Sequence, residues 1–99
     1  MSDIDFQSFL PDLIEIRHQL HQIPEIGLSE LKTSNFIAAQ LEKWGFEITR
    51  GLGKTGIVAT LRAGNGNRAI GFRADFDALP MQEETNLPYA SQHPGAMHA

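Results

Sequence analysis

The 99-residue sequence predicts an α/β fold in which two amino-terminal helices precede strands that include a β-hairpin. Apolar residues recur at helical spacing in the first half, β-branched residues form short runs in the second half, and a long nonperiodic tail follows. A tail of about 25 such residues does not close a compact domain. We therefore expect residues 1–99 to be the incomplete amino-terminal part of a single larger domain with a mixed sheet.

An apolar stripe with spacings of three and four predicts the first helix over residues 6–23. Proline is tolerated in the first turn of a helix, so Pro11 places the regular start near Phe9 or Leu10. Pro24 ends the helix. The stripe consists of Phe9, Leu13, Ile16, Leu20 and Ile23.

A second helix is predicted to begin after Ser29, which is suited to the N-cap position. Glu30 would then lie favourably at the positive end of the helix dipole. A helical period continues to Trp44, and Gly45 is suited to the left-handed conformation that closes a helix. The short connection between the two helices predicts that they lie near each other.

Three short runs are predicted to be strands, over residues 46–49, 57–61 and 69–74. Residues 64–67 read Gly-Asn-Gly-Asn, and these residue types reach positive φ at low cost. The second and third strands are therefore predicted to form the hairpin. Beyond Ala74 we expect a long loop that contains three prolines.

Composition excludes several classes of site. The chain has no cysteine, which excludes disulfides, thiolate metal sites and cysteine nucleophiles within these residues. Its net charge of −4, with basic residues scattered singly, argues against a nucleic-acid partner. No apolar run approaches the roughly 18 residues that span a bilayer, so no membrane partner is expected. The acidic amino terminus is unlike a signal peptide, and we expect a cytoplasmic protein.

The glycine-rich stretch from Gly51 to Thr55 leaves a second function open, that of a small nucleotide-binding module. A phosphate-binding loop requires a glycine where this sequence has Ile48, and a helix directly after the Lys-Thr pair. A strand is predicted there instead, which favours a turn between strands.

Two other pairs of polar residues invite a catalytic interpretation. His18 and His21 have the spacing of one helix face, but no third metal ligand is apparent nearby, so structural histidines are favoured. Glu83 and Glu84 are adjacent, and adjacent side chains diverge, so a solvated loop is favoured over an acid–base pair.

Asp75 and Asp77 follow the third predicted strand, where open α/β sheets build their sites. Two carboxylates with this spacing could orient a metal ligand. The alternatives left open are capping of the loop and an ion pair with Arg73.

Four motifs in order resemble the N-acyl-amino-acid amidohydrolases, the hippurate-hydrolase and auxin-conjugate-hydrolase branch of the zinc aminopeptidase and carboxypeptidase clan. Residues 73–80, RADFDALP, resemble the RADxDALP signature, and residues 81–89, MQEETNLPY, are similar to the PxQEETxLPF/Y loop. Residues 20–25, LHQIPE, resemble LHxxPE, and residues 97–99, MHA, match the start of MHACGHD. The resemblance runs from about Ile14 to the last residue.

The resemblance implies a catalytic domain that hydrolyses N-acyl amino acids, which are small-molecule substrates, with two divalent cations (Mn²⁺, Zn²⁺, Ni²⁺ or Co²⁺) activating a water. The family's metal ligands are the Cys and second His of HACGHD with more distant Glu and His residues. The chain is expected to stop just before them, to bind no metal and to be inactive alone. The resemblance also implies dimerisation of the intact enzyme through an inserted domain.

Residue roles follow from the same resemblance. Asp75 corresponds to an aspartate that steadies a neighbouring metal ligand, and Arg73 occupies the histidine position of the related HxD motif. His98 is the first histidine of its motif and is not a ligand, while Glu83 and Glu84 are not the general base. A third hypothesis, a non-catalytic remnant that acts through its exposed sheet edge and unburied helix faces, is compatible with this ancestry.

Overall fold

A computed structural model describes residues 4–99 of the chain. Helices α1 (Phe6–Gln22) and α2 (Leu31–Lys43) precede an antiparallel hairpin of β1 (Glu47–Leu52) and β2 (Gly56–Thr60). After residue 60 the only regular pairing is two isolated bridges, Ile26 with Ala78 and Leu79 with Met97. The predicted class, two helices followed by strands with a hairpin, is confirmed.

Helix α1 begins at Phe6, three or four residues earlier than predicted, so Pro11 lies in its second turn and not in its first. The start is stabilised by Asp5, whose carboxylate accepts a hydrogen bond from the Gln7 amide at 3.1 Å. The helix ends at Gln22, next to Pro24 as predicted. None of its residues is buried, and the apolar stripe is half-buried at its carboxyl-terminal end and exposed at Phe9 and Leu13.

The start of α2 corrects the predicted cap. Glu30, and not Ser29, is the N-cap residue, and its side chain makes no capping bond. The carboxylate of Glu25 supplies that bond from the preceding loop, because it accepts from the amides of Lys32 at 3.1 Å and Thr33 at 2.6 Å. The far end follows the prediction, with Gly45 at φ 91° after the last turn.

The hairpin joins a different pair of strands from the one predicted. β1 pairs with β2 in the register Glu47 opposite Thr60 and Arg50 opposite Ile57, with an irregularity after Arg50. The turn lies at residues 53–55, where Lys54 has φ 74°. A Cβ atom on Gly56 would lie 2.3 Å from the Leu52 carbonyl oxygen, so only glycine fits the close of this turn.

The predicted strand over residues 69–74 is wrong for the described chain, as is the hairpin through residues 64–67. The segment pairs with no strand among residues 4–99, so its backbone completes no ladder. Its side chains are the most exposed apolar groups described, Ile70 at 82% and Phe72 at 95%. The segment therefore has the sequence pattern of a strand without forming one, because a strand requires a neighbour to pair with.

The small core lies where the start of α2 meets the loops on either side. Its buried apolar residues are small apart from Met97, and Pro24, Thr33 and Ser34 are the largest fully buried side chains. The Ser34 hydroxyl donates to the Thr55 carbonyl at 2.7 Å and accepts from Arg50 at 3.0 Å, which holds the hairpin on α2. Neither described helix is long and apolar enough to cross a membrane.

Candidate functional site

The long loop after residue 74 folds back onto the end of α1. The Ala78 amide donates to the Glu25 carbonyl at 2.8 Å. Leu79 and Met97 exchange two backbone hydrogen bonds, of 2.9 and 3.1 Å. These bonds bring the RADFDALP segment and the carboxyl-terminal MHA segment side by side, although about 20 residues separate them in sequence.

Asp75, the predicted site residue, lies at this junction. Its carboxylate accepts from the Arg73 guanidinium at 2.8 Å, and both side chains are largely exposed. The ion pair that sequence reasoning left as an alternative is therefore formed, but an exposed pair contributes little to stability. Asp75 also lines an open cleft together with His21, Thr33 and His98.

Asp77 does not share the first cleft with Asp75. It lines a second one, on the side of Glu30 and Thr55, which Asp75 also borders. Its Oδ2 atom lies close to Gly27, 3.7 Å from where a Cβ would stand. Asp75 therefore lines both clefts, whereas Asp77 lines the second.

His98 lies half-buried at the back of the first cleft. Its Nε2 atom is buried and has no hydrogen-bond partner among residues 4–99. Burial lowers the pKa of His98, the nearby His21 lowers it further, and the charge of Asp77 opposes both effects. A neutral imidazole with a free nitrogen is able to accept or donate one further hydrogen bond.

His21 is hydrogen-bonded, as predicted, and its partner is one of the two glutamates. Its Nε2 atom lies 2.9 Å from the Glu83 carboxylate, and both side chains are largely buried. The prediction of a solvated loop is therefore wrong for Glu83, whereas Glu84 is exposed. This pair could not be predicted from the sequence because 62 positions separate His21 from Glu83.

The other histidine packs against the same loop. The rings of His18 and Tyr89 are stacked with centroids 3.7 Å apart, and the Arg17 guanidinium lies 5.6 Å from the Tyr89 ring centroid. His18 and His21 therefore both hold the loop, which confirms their structural interpretation.

Side chains that could ligate a metal are not clustered in the part of the chain that the structure describes. Among residues 4–99 no group of three or more His, Asp or Glu side chains is arranged to bind an ion. Asp75, Asp77 and His98 approach the same region but lie in two clefts. These residues supply the wall of a site without a complete set of ligands.

The nucleotide-binding alternative is wrong. Strand β2 begins at Gly56, directly after Thr55, where a phosphate-binding loop requires the first turn of a helix. Lys54 is exposed in the turn, and the Thr55 hydroxyl donates to Glu30 at 3.1 Å. The glycines of this stretch belong to the hairpin of β1 and β2 and its turn.

No protein-family model matches the sequence. The chain is 51% identical to a hippurate hydrolase of Campylobacter jejuni over 85 residues, which is 86% of this chain and 22% of that protein. It is 46% identical to an N-acetyldiaminopimelate deacetylase of Listeria monocytogenes over 91 residues, 91% of this chain and 24% of that protein. It spans about a quarter of the length of the curated relatives it matches.

The structure superposes on a solved Bacillus subtilis protein, YXEP, described as a dinuclear metal binding peptidase from the M20 family, with a TM-score of 0.86 and 40% identity. The match covers 95% of this chain and 26% of that one. The chain resembles the amino-terminal part of an M20-family amidohydrolase. The family resemblance read from the four motifs is thereby confirmed, and the two helices and hairpin match the amino-terminal part of M20-family structures.

Sequence analysis missed two carboxylates that hold this M20-like fold together. Glu25 and Glu83 stand in the LHQIPE and QEET motifs, yet their partners were not predicted. Local pattern carried little signal, because Glu25 accepts from amides seven and eight residues later and Glu83 pairs with a histidine 62 residues earlier.

Proposed function

We propose that the whole protein is a metal-dependent amidohydrolase, and that residues 1–99 form the amino-terminal part of its single catalytic domain. Its substrates would be N-acyl amino acids of the hippurate type, cleaved at the amide bond to a carboxylic acid and an amino acid. The observation that carries the proposal is the 51% identity to a hippurate hydrolase across 86% of this chain. The placement of Asp75 beside His98 supports it.

Divalent cations would be the cofactor, chosen from Mn²⁺, Zn²⁺, Ni²⁺ and Co²⁺. The dinuclear metal binding described for the Bacillus subtilis neighbour supports this choice. Because residues 4–99 do not form a complete ligand set, the ligands would come mainly from other residues of the whole enzyme. Dimerisation of that enzyme stays a prediction.

Asp75 would act as a positioning residue in this enzyme. Its exposed carboxylate is held by Arg73 at 2.8 Å and retains oxygen lone pairs that point to no other partner among residues 4–99. A carboxylate in this state can accept a hydrogen bond from a metal-binding side chain and fix its orientation. Arg73 would hold the carboxylate in place through this contact.

The coding DNA beyond the Ala99 codon tests the assignment. We expect it to continue in frame with codons for Cys-Gly-His-Asp, and we expect the whole product to release amino acids from N-acyl amino acids. A chelator should abolish the release, and one of the four cations should restore it. An unrelated reading frame, or release that is indifferent to chelation, would refute the proposal.

The 99-residue chain alone should not hydrolyse N-acyl amino acids, because residues 4–99 lack a full set of metal ligands. The measurement is amino-acid release by the purified chain with added divalent metal against the same chain with a chelator. Metal-dependent release above the chelated control would contradict this part of the proposal.

A further inference from the structure

The Glu83 carboxylate collects donors from three parts of the chain. It accepts from His21 Nε2 on α1 at 2.9 Å, from the Ser91 amide at 2.8 Å and from the Thr85 hydroxyl. Its side chain is only 2% exposed. A carboxylate covered from solvent in this way is stabilised by such a set of donors, since an unpaired charge would be costly to cover.

The bonds continue from Ser91 to the carboxyl-terminal segment. The Ser91 hydroxyl, which has a single hydrogen, lies 2.8 Å from the Ala96 carbonyl oxygen and 3.0 Å from that of His93. Met97, next in the chain, is paired with Leu79. The connected path thus runs from α1 through one carboxylate to the residue before His98.

The two ends of this hydrogen-bonded path, His21 on α1 and the segment that carries His98, lie close together. The rings of His98 and His21 are 6.5 Å apart, and both line the cleft that Asp75 borders. The position of His98 in this cleft therefore depends on where residues 91–97 are held.

We infer that Glu83 is a positioning residue that acts through Ser91 to fix residues 96–98 near α1 and so places His98 in the Asp75 cleft. The importance of Glu83 for catalysis rests on the proposed function, whereas its role in placing His98 does not. Two other bonds tie the preceding residues to the end of α1, from the Gln92 amide to the Gln22 carbonyl at 3.0 Å and between His93 Nδ1 and the Pro24 carbonyl at 2.8 Å. They should keep residues 92–93 in place when Glu83 is altered.

Glu84 provides the matched control. It is the adjacent glutamate, it is exposed, and its side chain makes no hydrogen bond or ion pair found among residues 4–99. Glu83→Gln and Glu84→Gln remove the same charge from neighbouring positions, so any difference between them reports the donors that Glu83 collects.

The test is NMR of the 99-residue chain with labelled backbone amides and histidine rings. In Glu83→Gln we expect the Ser91 and Met97 amides to exchange at least about tenfold faster, because a charge-assisted bond no longer closes the segment. The His98 ring resonance should move, while the Ser34 and Trp44 amides of the α2 region keep their protection. Thr85→Val, which removes one donor of three, should act in the same direction with a smaller effect.

Three results would overturn the inference. Glu83→Gln could leave the Met97 amide and the His98 ring as they are in the original chain. Glu84→Gln could produce the same changes as Glu83→Gln. Protection in α2 could collapse together with the loop in both Glu83→Gln and Thr85→Val, which would make Glu83 a general stabiliser. None of these readouts requires turnover, so a whole enzyme without amidase activity would refute the proposed function and leave the positioning role standing.

Discussion

The Glu25 carboxylate accepts a hydrogen bond from the Thr33 amide at 2.6 Å and a second from Lys32 at 3.1 Å. The first amides of a helix have no partner within the helix, and a negative charge near them is favourable. The loop before α2 thus supplies the cap that the sequence assigned to Ser29. At the same time the Glu25 carbonyl accepts from the Ala78 amide, so one residue joins α2 to the long loop after residue 74.

Glu25→Gln should lower the free energy of unfolding by about 1 kcal/mol, the usual contribution of a helix cap, because an amide offers one acceptor oxygen and no charge. The measurement is urea denaturation followed by circular dichroism. Ser29→Ala is the control, and it should change stability by less than about 0.5 kcal/mol since Ser29 is exposed and its side chain caps nothing. A larger loss of stability in Ser29→Ala than in Glu25→Gln would show that Ser29 is the cap after all.

Stability should fall in acid because of two glutamates. Burial raises the pKa of Glu25, but hydrogen bonds from Thr33 and Lys32 outweigh it and leave that pKa below its ordinary value. The Thr85 hydroxyl and the Ser91 amide lower the pKa of Glu83, and His21 adds to this. A depressed pKa in the folded chain contributes stability above the unfolded value of about 4.3, and that stability is lost as pH falls through the folded values.

Thermal unfolding between about pH 7 and pH 3 measures this loss. The melting temperature should decline below about pH 4.3, and the decline should be shallower in Glu25→Gln and in Glu83→Gln, each of which removes one titrating group. If the melting temperature of both variants fell with pH as steeply as that of the original chain, other carboxylates would be responsible for the acid sensitivity.

Gly56→Ala should destabilise the hairpin by about 1–3 kcal/mol, since the new methyl would meet the Leu52 carbonyl oxygen at 2.3 Å. Gly66→Ala is the matched control and should cost little stability, because nothing lies within 4 Å of its Cβ position. Denaturation midpoints of the two variants should therefore differ clearly. Equal midpoints would show that the turn relaxes without cost.

The exposed segment around Phe72 should promote self-association of the 99-residue chain. Ile70 and Phe72 are 82% and 95% exposed, and burial of a phenylalanine yields about 1.5–3 kcal/mol. Phe72→Ser should shift the chain toward monomer in size-exclusion chromatography run over a range of concentrations, with exposed Thr60→Ser as a control. An elution volume that is concentration-independent and unchanged by Phe72→Ser would argue against the remnant hypothesis, in which this surface is what acts.

The helices could be predicted because their signals are local. Apolar spacing and the flanking Pro24 and Gly45 define α1 and α2 to within a few residues. The four motifs were sufficient for the family resemblance, since they are contiguous strings of residue types. The prediction of Ser29 as the cap was wrong because the carboxylate of Glu25, four residues earlier, accepts from the first amides of α2.

Which strands pair, and which carboxylates are buried, required the tertiary structure. Residues 57–61 and 69–74 look alike as strands, yet pairing depends on which neighbour the turn at residues 53–55 brings alongside. Glu83 and Glu84 are chemically identical and adjacent, and only the approach of His21 from α1 distinguishes them. Local pattern determines what a segment can become, whereas hydrogen-bond partners distant in sequence decide which state it adopts, because the cost of burying a polar group is offset only where those partners meet it.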